Sequence, residues 1–357
     1  MQTVANSFSR SSGLAIDGER AAYRAHVAGR RIGYLDTDAW IRLGRDRDEI
    51  AGRCRRLCES GVRQKRLIFP LSYAACSELV QQAPSPSRDA RVNLMQSLSE
   101  GVAFRDRDTV RRIEAEAVVP LVLGDRAAEV DMSRLFAGVQ ECLSDFADCD
   151  LVETPVSPEI LSRARHTNLF RSLAQYVHIC DGLNKYEESG PFFEPRREIL
   201  SASVTKAANA VRDPNGKVNR ARALRQEAVG AFMNALPALR AAFEARPQED
   251  QRRLAELARH DPGSPERLIE FIRSMPSVTT ETELFTRRVI QPERKHRGRN
   301  DFWDIEHAIV PATYSDVWVT LDQGLAALVR SCETPRRRGC VVLASMGAFC
   351  AWLQEHG

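Results

Sequence analysis

Two short apolar runs in this chain end in carboxylates. Arg31-Ile32-Gly33-Tyr34-Leu35-Asp36-Thr37-Asp38 lies near the start, and Val317-Trp318-Val319-Thr320-Leu321-Asp322 near the end. Between them, Glu78 follows a third apolar run, Leu67-Ile68-Phe69-Pro70, and Asp304 stands where a polar stretch turns apolar. Carboxylates at the C-terminal ends of parallel strands meet at one edge of an α/β sheet, the edge where ligands bind in open sheets. Four acids brought together repel one another unless a cation sits among them, and oxygen donors suit a hard divalent ion.

The elements that must position these residues are readable from apolar spacing. A strand is expected from Gly29 to Asp36, a helix over roughly 38–60, and a second strand over 65–69. A helix N-capped by Ser72 would carry Glu78 about two turns in. The run Gln82-Ala83-Pro84-Ser85-Pro86-Ser87 then reads as a linker. Helical spacing dominates 126–147, 157–182, 201–246 and 250–274. Near the C-terminus a helix is expected over 301–311, a strand over 316–320, a helix over 322–331, a strand over 340–344 and a last helix over 346–355. Strands separated by helices pair in parallel through right-handed crossovers. The expected fold class is therefore α/β: a parallel sheet of four to five strands flanked by helices and interrupted by a mostly α-helical insertion. The expected divisions are an extension at 1–28, the first part of the sheet domain at 29–88, the insertion at 89–290 and the second part at 291–357.

Composition narrows the class. The chain has 357 residues, 43% of them hydrophobic and 28% charged, which are globular proportions. A net charge of +3 is too small to demand a polyanionic partner by itself. Nine cysteines are scattered without a CxxC pair, so buried free thiols in a reducing cytosol are expected in place of a zinc site. No apolar run approaches the roughly 20 residues of a membrane span, and no apolar signal core stands near the start, so a cytoplasmic protein without membrane contact is expected.

The order of the acidic motifs resembles the PIN-domain nucleases. In that family a first strand ends in Asp-Thr-Asn and a glutamate sits on the helix after the second strand. A later helix starts near an aspartate, and the next strand ends in Thr-x-Asp. Here Asp36-Thr37-Asp38, Glu78, Asp304-Ile305-Glu306-His307-Ala308 and Thr320-Leu321-Asp322 follow in that order, over roughly 30–82 and 300–357. Asp38 replaces the usual Asn, and the helical middle lies outside the resemblance. What the resemblance implies is a PIN-like fold and a metal-dependent nuclease, an endoribonuclease more than a deoxyribonuclease. Asp36, Glu78, Asp304 and Asp322 would bind Mg²⁺ or Mn²⁺, with Asp36 central, and Thr320 would orient water or a phosphate oxygen. Asp38, Asp301, Asp316 and His307 are weaker candidates. Asp301 competes with Asp304 for the same helix start, and Asp316 precedes its strand and so lies at the wrong end. A lone helical histidine such as His307 is also a common structural residue.

The stretch 287–299 holds six basic residues and one acid. Arg294, Lys295, Arg297 and Arg299 come directly before the Asp304 helix, where they would hold nucleic-acid phosphates beside a pocket that repels them. Arg336-Arg337-Arg338 and the basic helix around 53–66 are further candidates for the same rim. A homodimer or an inhibitor partner is compatible with the sequence.

Two rival readings share the motifs. Asp36-Thr37-Asp38 resembles the Asp-x-Asp nucleophile of haloacid-dehalogenase-type phosphatases, but Trp40 stands where that family has Thr or Val. A catalytically degenerate PIN-like module would keep the sheet and use it, with the insertion, for binding alone.

Overall fold

The computed structural model describes residues 26–45, 48–80, 82–122, 129–139, 173–184, 212, 217, 219–252, 273–290 and 300–357. Four parallel strands form the sheet: β1 (Arg31–Leu35), β2 (Leu67–Ile68), β5 (Val317–Val319) and β6 (Val341–Leu343), in the spatial order β2-β1-β5-β6. Gly33 pairs with Val317 and Leu35 with Val319, while Val317 pairs with Val341. The strands read as continuous apolar runs because helices cover both faces, as in parallel sheets generally. Ile32, Tyr34 and Trp318 face one core, and Leu35, Val317 and Val319 face the other.

Each strand but β2 leads directly into a capped helix. Asp36 caps α1 (Thr37–Leu43), Asp322 caps α10 (Gln323–Ser331) and Ser345 caps α12 (Met346–His356). Ser72 does the same for α3 (Tyr73–Val80), its hydroxyl accepting from the Ala75 N–H at 3.1 Å. Four helix N-termini therefore start at the C-terminal edge of the sheet, and such termini favour negative charge. The single helix expected over 38–60 is two. Gly44 ends α1, and Asp48 opens α2 (Glu49–Arg63) by accepting from the Ala51 N–H at 3.0 Å.

Residues 82–87 do not form a linker throughout: Ser85 caps α4 (Pro86–Ser99), with proline at the first helical position, where its missing N–H costs nothing. β3 (Val102–Phe104) follows. Leu71 donates its N–H to Val102 O at 3.0 Å and accepts from Phe104 N–H at 2.7 Å, so β3 lies against the β2 side of the sheet. α5 (Arg107–Val122) comes next. Met132–Leu135 form one 3₁₀ turn, and β4 (Phe136–Gly138) pairs antiparallel with β3. Helical spacing over 126–147 thus fails at 132–138, because three residues are too few to show a strand period and the partners that decide them are 32 to 36 positions away in sequence. These elements fall inside the stretch expected to be a helical insertion, and they pack into the two cores that flank the sheet.

The remaining described elements before β5 are helices: α6 (Leu173–Asn184), α7 (Arg220–Glu244), α8 (Pro276–Ile290) and α9 (Asn300–Tyr314). α7 lays Ala231, Ala235, Ala238 and Ala242 against Val118 and Val119 of α5 and Val278 of α8. α9 covers the Tyr34–Trp318 face through Ile305, Ala308, Ile309 and Ala312. α11 (Glu333–Arg337) is a short helix that carries Arg336 and Arg337 in its last turn. Among the described residues no helix is long and apolar enough to cross a membrane.

Candidate functional site

Asp36 is the first residue past the end of β1. Successive strand side chains alternate, so it points to the same face as Tyr34, toward α9. It is buried, and its Oδ1 accepts the Ala39 N–H at 2.9 Å. Its own N–H donates to Val319 O, which sets it beside Thr320, and the fully buried Thr320 hydroxyl bonds its carboxylate. Burial pushes the Asp36 carboxyl up to about 7, against the pull of the Thr320 and Ala39 hydrogen bonds and of His307; the exposed Asp38 adds to the rise.

The opposite wall is His307, on the face of α9 that also carries Asp304 one turn earlier. Its ring is buried, with Nδ1 2.7 Å from the Tyr34 hydroxyl, and that hydroxyl lies 2.6 Å from Ser72 Oγ. Nε2 lies 3.3 Å from Glu78 Oε2, an ion-pair distance without in-line hydrogen-bond geometry. Burial disfavours charge on this ring, but Glu78, then Asp36 and Asp304, hold its pKa above the ordinary histidine value. Burial likewise drives the Tyr34 hydroxyl well above its usual range.

Three of the four leading candidates, Asp36, Glu78 and Asp304, therefore act on one buried imidazole from three different elements. Asp322 stands further out. It is exposed, its carboxylate accepts from Gly324 N–H at 2.6 Å and Leu325 N–H at 2.8 Å, and its N–H reaches Thr320 Oγ1 at 3.2 Å. Its link to Asp36 runs through Thr320. Asp316 sits at the other edge, its Oδ2 accepting the Ile32 N–H at 2.7 Å, four residues of strand away from Asp36. Asp301 lies in the first turn of α9, and its side chain is outside the described residues, as are Arg294, Lys295, Arg297 and Arg299. Arg287 and Arg288 belong to the last turn of α8, Arg288 being buried. Arg336, Arg337 and Arg338 precede β6 and so occupy the N-terminal edge with Asp316; they do not join the acidic rim.

Tyr34 and Ser72 have no place among the sequence candidates beyond Ser72 as a cap. Tyr34 had one signal, its position two residues before Asp36 on a strand, which puts both side chains on one face.

The donor set is chemically right for a hard divalent ion: carboxylate oxygens, one of them buried at a cost that a cation would offset. Among the described residues, no three His, Cys, Asp or Glu side chains are arranged to hold a metal ion. Closing on one would draw Asp36, Glu78 and Asp304 together. The residues fit in type, and Glu78 is shared with His307. No known protein family, characterised protein or solved structure matches the chain.

Proposed function

We propose that the chain is a metal-dependent nuclease of PIN-like fold that hydrolyses phosphodiester bonds, acting as an endoribonuclease. One observation supports the reading: Asp36 at the end of β1, Glu78 on α3 and Asp304 on α9 each act on the charge of the buried His307 ring, by the C-terminal edge of a parallel sheet. Structural carboxylates spread over a surface do not do this, and perturbed ionisable groups gathered at such an edge mark functional sites. Asp36, Glu78 and Asp304 would hold the Mg²⁺ or Mn²⁺ ion, with Asp322 at the outer side. When bound, the ion supplies neutralisation of charge building on the phosphate and a lowered pKa for the attacking water. Asp36 is the central ligand, and Thr320 keeps its carboxylate oriented. The N-termini of α1, α3 and α10 favour the phosphate's negative charge. Arg294, Lys295, Arg297 and Arg299 hold the strand by its backbone. The preference for RNA over DNA comes from the family resemblance alone.

The test is incubation with single-stranded RNA and DNA under Mg²⁺, Mn²⁺ or EDTA, comparing wild type with Asp36→Asn. Cleavage that needs the ion and is lost in the variant supports the reading. Equal cleavage by both proteins removes Asp36 from the mechanism.

A second reading, the degenerate binding module, has one observation in its favour. The Glu78–His307 pair partly balances the acidic pocket from within. Mn²⁺ titration separates the two, since a nuclease of this kind must bind the ion and a degenerate module need not.

A further inference from the structure

His307 is 3% exposed, and its two nitrogens face different surroundings. Nδ1 meets the Tyr34 hydroxyl at 2.7 Å, which continues to Ser72 Oγ at 2.6 Å. Among the described residues Nε2 has no hydrogen bond of good geometry; it lies 3.3 Å from Glu78 Oε2, and Asp36 and Asp304 are near enough to act on the ring's charge. Buried polar atoms are almost always well hydrogen-bonded, so a buried ring nitrogen held beside the Glu78 carboxylate without good hydrogen-bond geometry calls for an explanation.

We propose that His307 Nε2 is itself a ligand of the ion, that Tyr34 and Ser72 are positioning residues that set its tautomer, and that the centre takes a first-row transition ion such as Mn²⁺ in preference to Mg²⁺. The inference rests on the metal-dependent reading above and specifies its ion. A ligating imidazole must present a lone pair at Nε2, so Nδ1 carries the proton. That N–H donates to the Tyr34 hydroxyl oxygen, and Tyr34 donates onward to Ser72 Oγ. Ser72 is fixed in turn, since its hydroxyl also caps Ala75 N–H at 3.1 Å. Hydroxyls both give and accept, which allows the chain to run in this direction. Metal-bound histidines generally hand their second N–H to such an outer partner, and losing that partner weakens metal binding about 10–100-fold. Adding one imidazole to carboxylates moves the preference from Mg²⁺ toward Mn²⁺, Fe²⁺ or Zn²⁺, because imidazole is the softer donor.

A competing role for the same atoms is a plain ion pair, in which His307 merely balances Glu78. It predicts the opposite sign, since deleting the imidazole would release Glu78 to the ion and tighten binding.

The experiment is calorimetric titration of the full chain with Mn²⁺ and with Mg²⁺, for wild type, His307→Asn and Tyr34→Phe, alongside electron spin-echo spectroscopy of the bound Mn²⁺. The expected wild-type result is Mn²⁺ binding with ¹⁴N coupling. In His307→Asn the coupling disappears and Mn²⁺ affinity falls about tenfold or more, while Mg²⁺ affinity changes little. In Tyr34→Phe the coupling remains and Mn²⁺ affinity falls about tenfold. Should His307→Asn fail to fold, the wild-type coupling and the Tyr34→Phe affinity decide the matter. Bound Mn²⁺ without ¹⁴N coupling, or an affinity that tightens in His307→Asn, overturns the inference and leaves the metal-dependent reading standing. A wild type that binds no Mn²⁺ removes both.

Discussion

The main-chain N–H of Asp36 donates to the carbonyl of Val319 at 3.0 Å, carrying the β1–β5 ladder one residue past its last strand pair. The ladder thus delivers the Asp36 carboxylate to the Thr320 hydroxyl. It also holds Asp36 on the face of Tyr34 and Trp318, where only 7% of the residue stays exposed. A carboxylate placed by sheet geometry in an apolar layer carries a cost in its ionised form, and that cost is measurable.

Folding raises the Asp36 pKa from 3.8 to about 7. Between those values the folded chain keeps a proton that the unfolded chain has released. The stabilisation is therefore complete below about pH 4, declines as pH rises toward 7, and is gone above it. Asp36→Asn has no such proton to lose. It is expected to be more stable than wild type at pH 8, by up to about 4 kcal/mol, with the gap closing toward pH 4. Urea unfolding at pH 4.5, 6 and 8 reads this directly. Curves that coincide at pH 8 would mean that Asp36 is ionised at no cost.

Thr320→Val keeps shape at a fully buried position and deletes one hydroxyl. That hydroxyl serves both the Asp36 carboxylate and the Asp322 N–H. Stability at pH 8 is expected to fall by about 1.5–3 kcal/mol, the range for a hydrogen bond to a charged group. The loss should shrink near pH 5, where Asp36 is protonated. Carbon-13 titration of the Asp36 carboxyl should show a further rise in its pKa. An unshifted carboxyl would detach Thr320 from the site.

The sheet was legible because its strands are apolar on both faces and end in helix caps, so Asp36, Ser72 and Asp322 each announced an element as well as a candidate chemistry. Glu78 and Asp304 were legible by order alone. The nearness of these acids to the His307 ring was not, because it depends on a contact between β1 and α9, from Tyr34 to His307, 273 residues apart in sequence. His307 looked like any helical histidine until α9 was laid on the Tyr34 face. β4 was missed for the related reason that only its pairing with β3 makes it a strand. Arg336–Arg338 looked like part of an acidic pocket's rim, and strand direction sends them to the opposite edge.

Glu114 of α5 is fully buried and collects donors from two other helices. Ser277 gives its N–H at 2.7 Å and its hydroxyl at 2.8 Å, and the Tyr314 hydroxyl bonds the same carboxylate. It thereby joins α8 and α9 to α5. Burial raises its pKa against those hydrogen bonds and Arg111. Glu114→Ala leaves buried donors with no acceptor, each worth about 1–3 kcal/mol, and opens a cavity as well. A loss of about 3–5 kcal/mol in urea unfolding is expected. A loss below 1 kcal/mol would mean that these helices do not depend on this junction.

The two edges of the sheet should respond differently to mutation. Asp316 accepts the Ile32 N–H at 2.7 Å, about 13 Å of strand away from Asp36. Arg31 lies 3.9 Å from its other oxygen, and Arg338 stacks over the Tyr314 ring at 5.1 Å. These residues join the starts of strands and helices and do not line the carboxylate pocket. Asp316→Ala should cost about 1–2 kcal/mol of stability for the lost main-chain bond, with Mn²⁺ affinity within about twofold of wild type. The triple variant Arg336→Ala, Arg337→Ala, Arg338→Ala should leave the salt dependence of RNA binding unchanged, since removing a cation that neutralises a phosphate would lower that slope by about one. A clearly flatter slope would mean that the nucleic acid is held at the N-terminal edge as well, and that the strand wraps from one end of the sheet to the other.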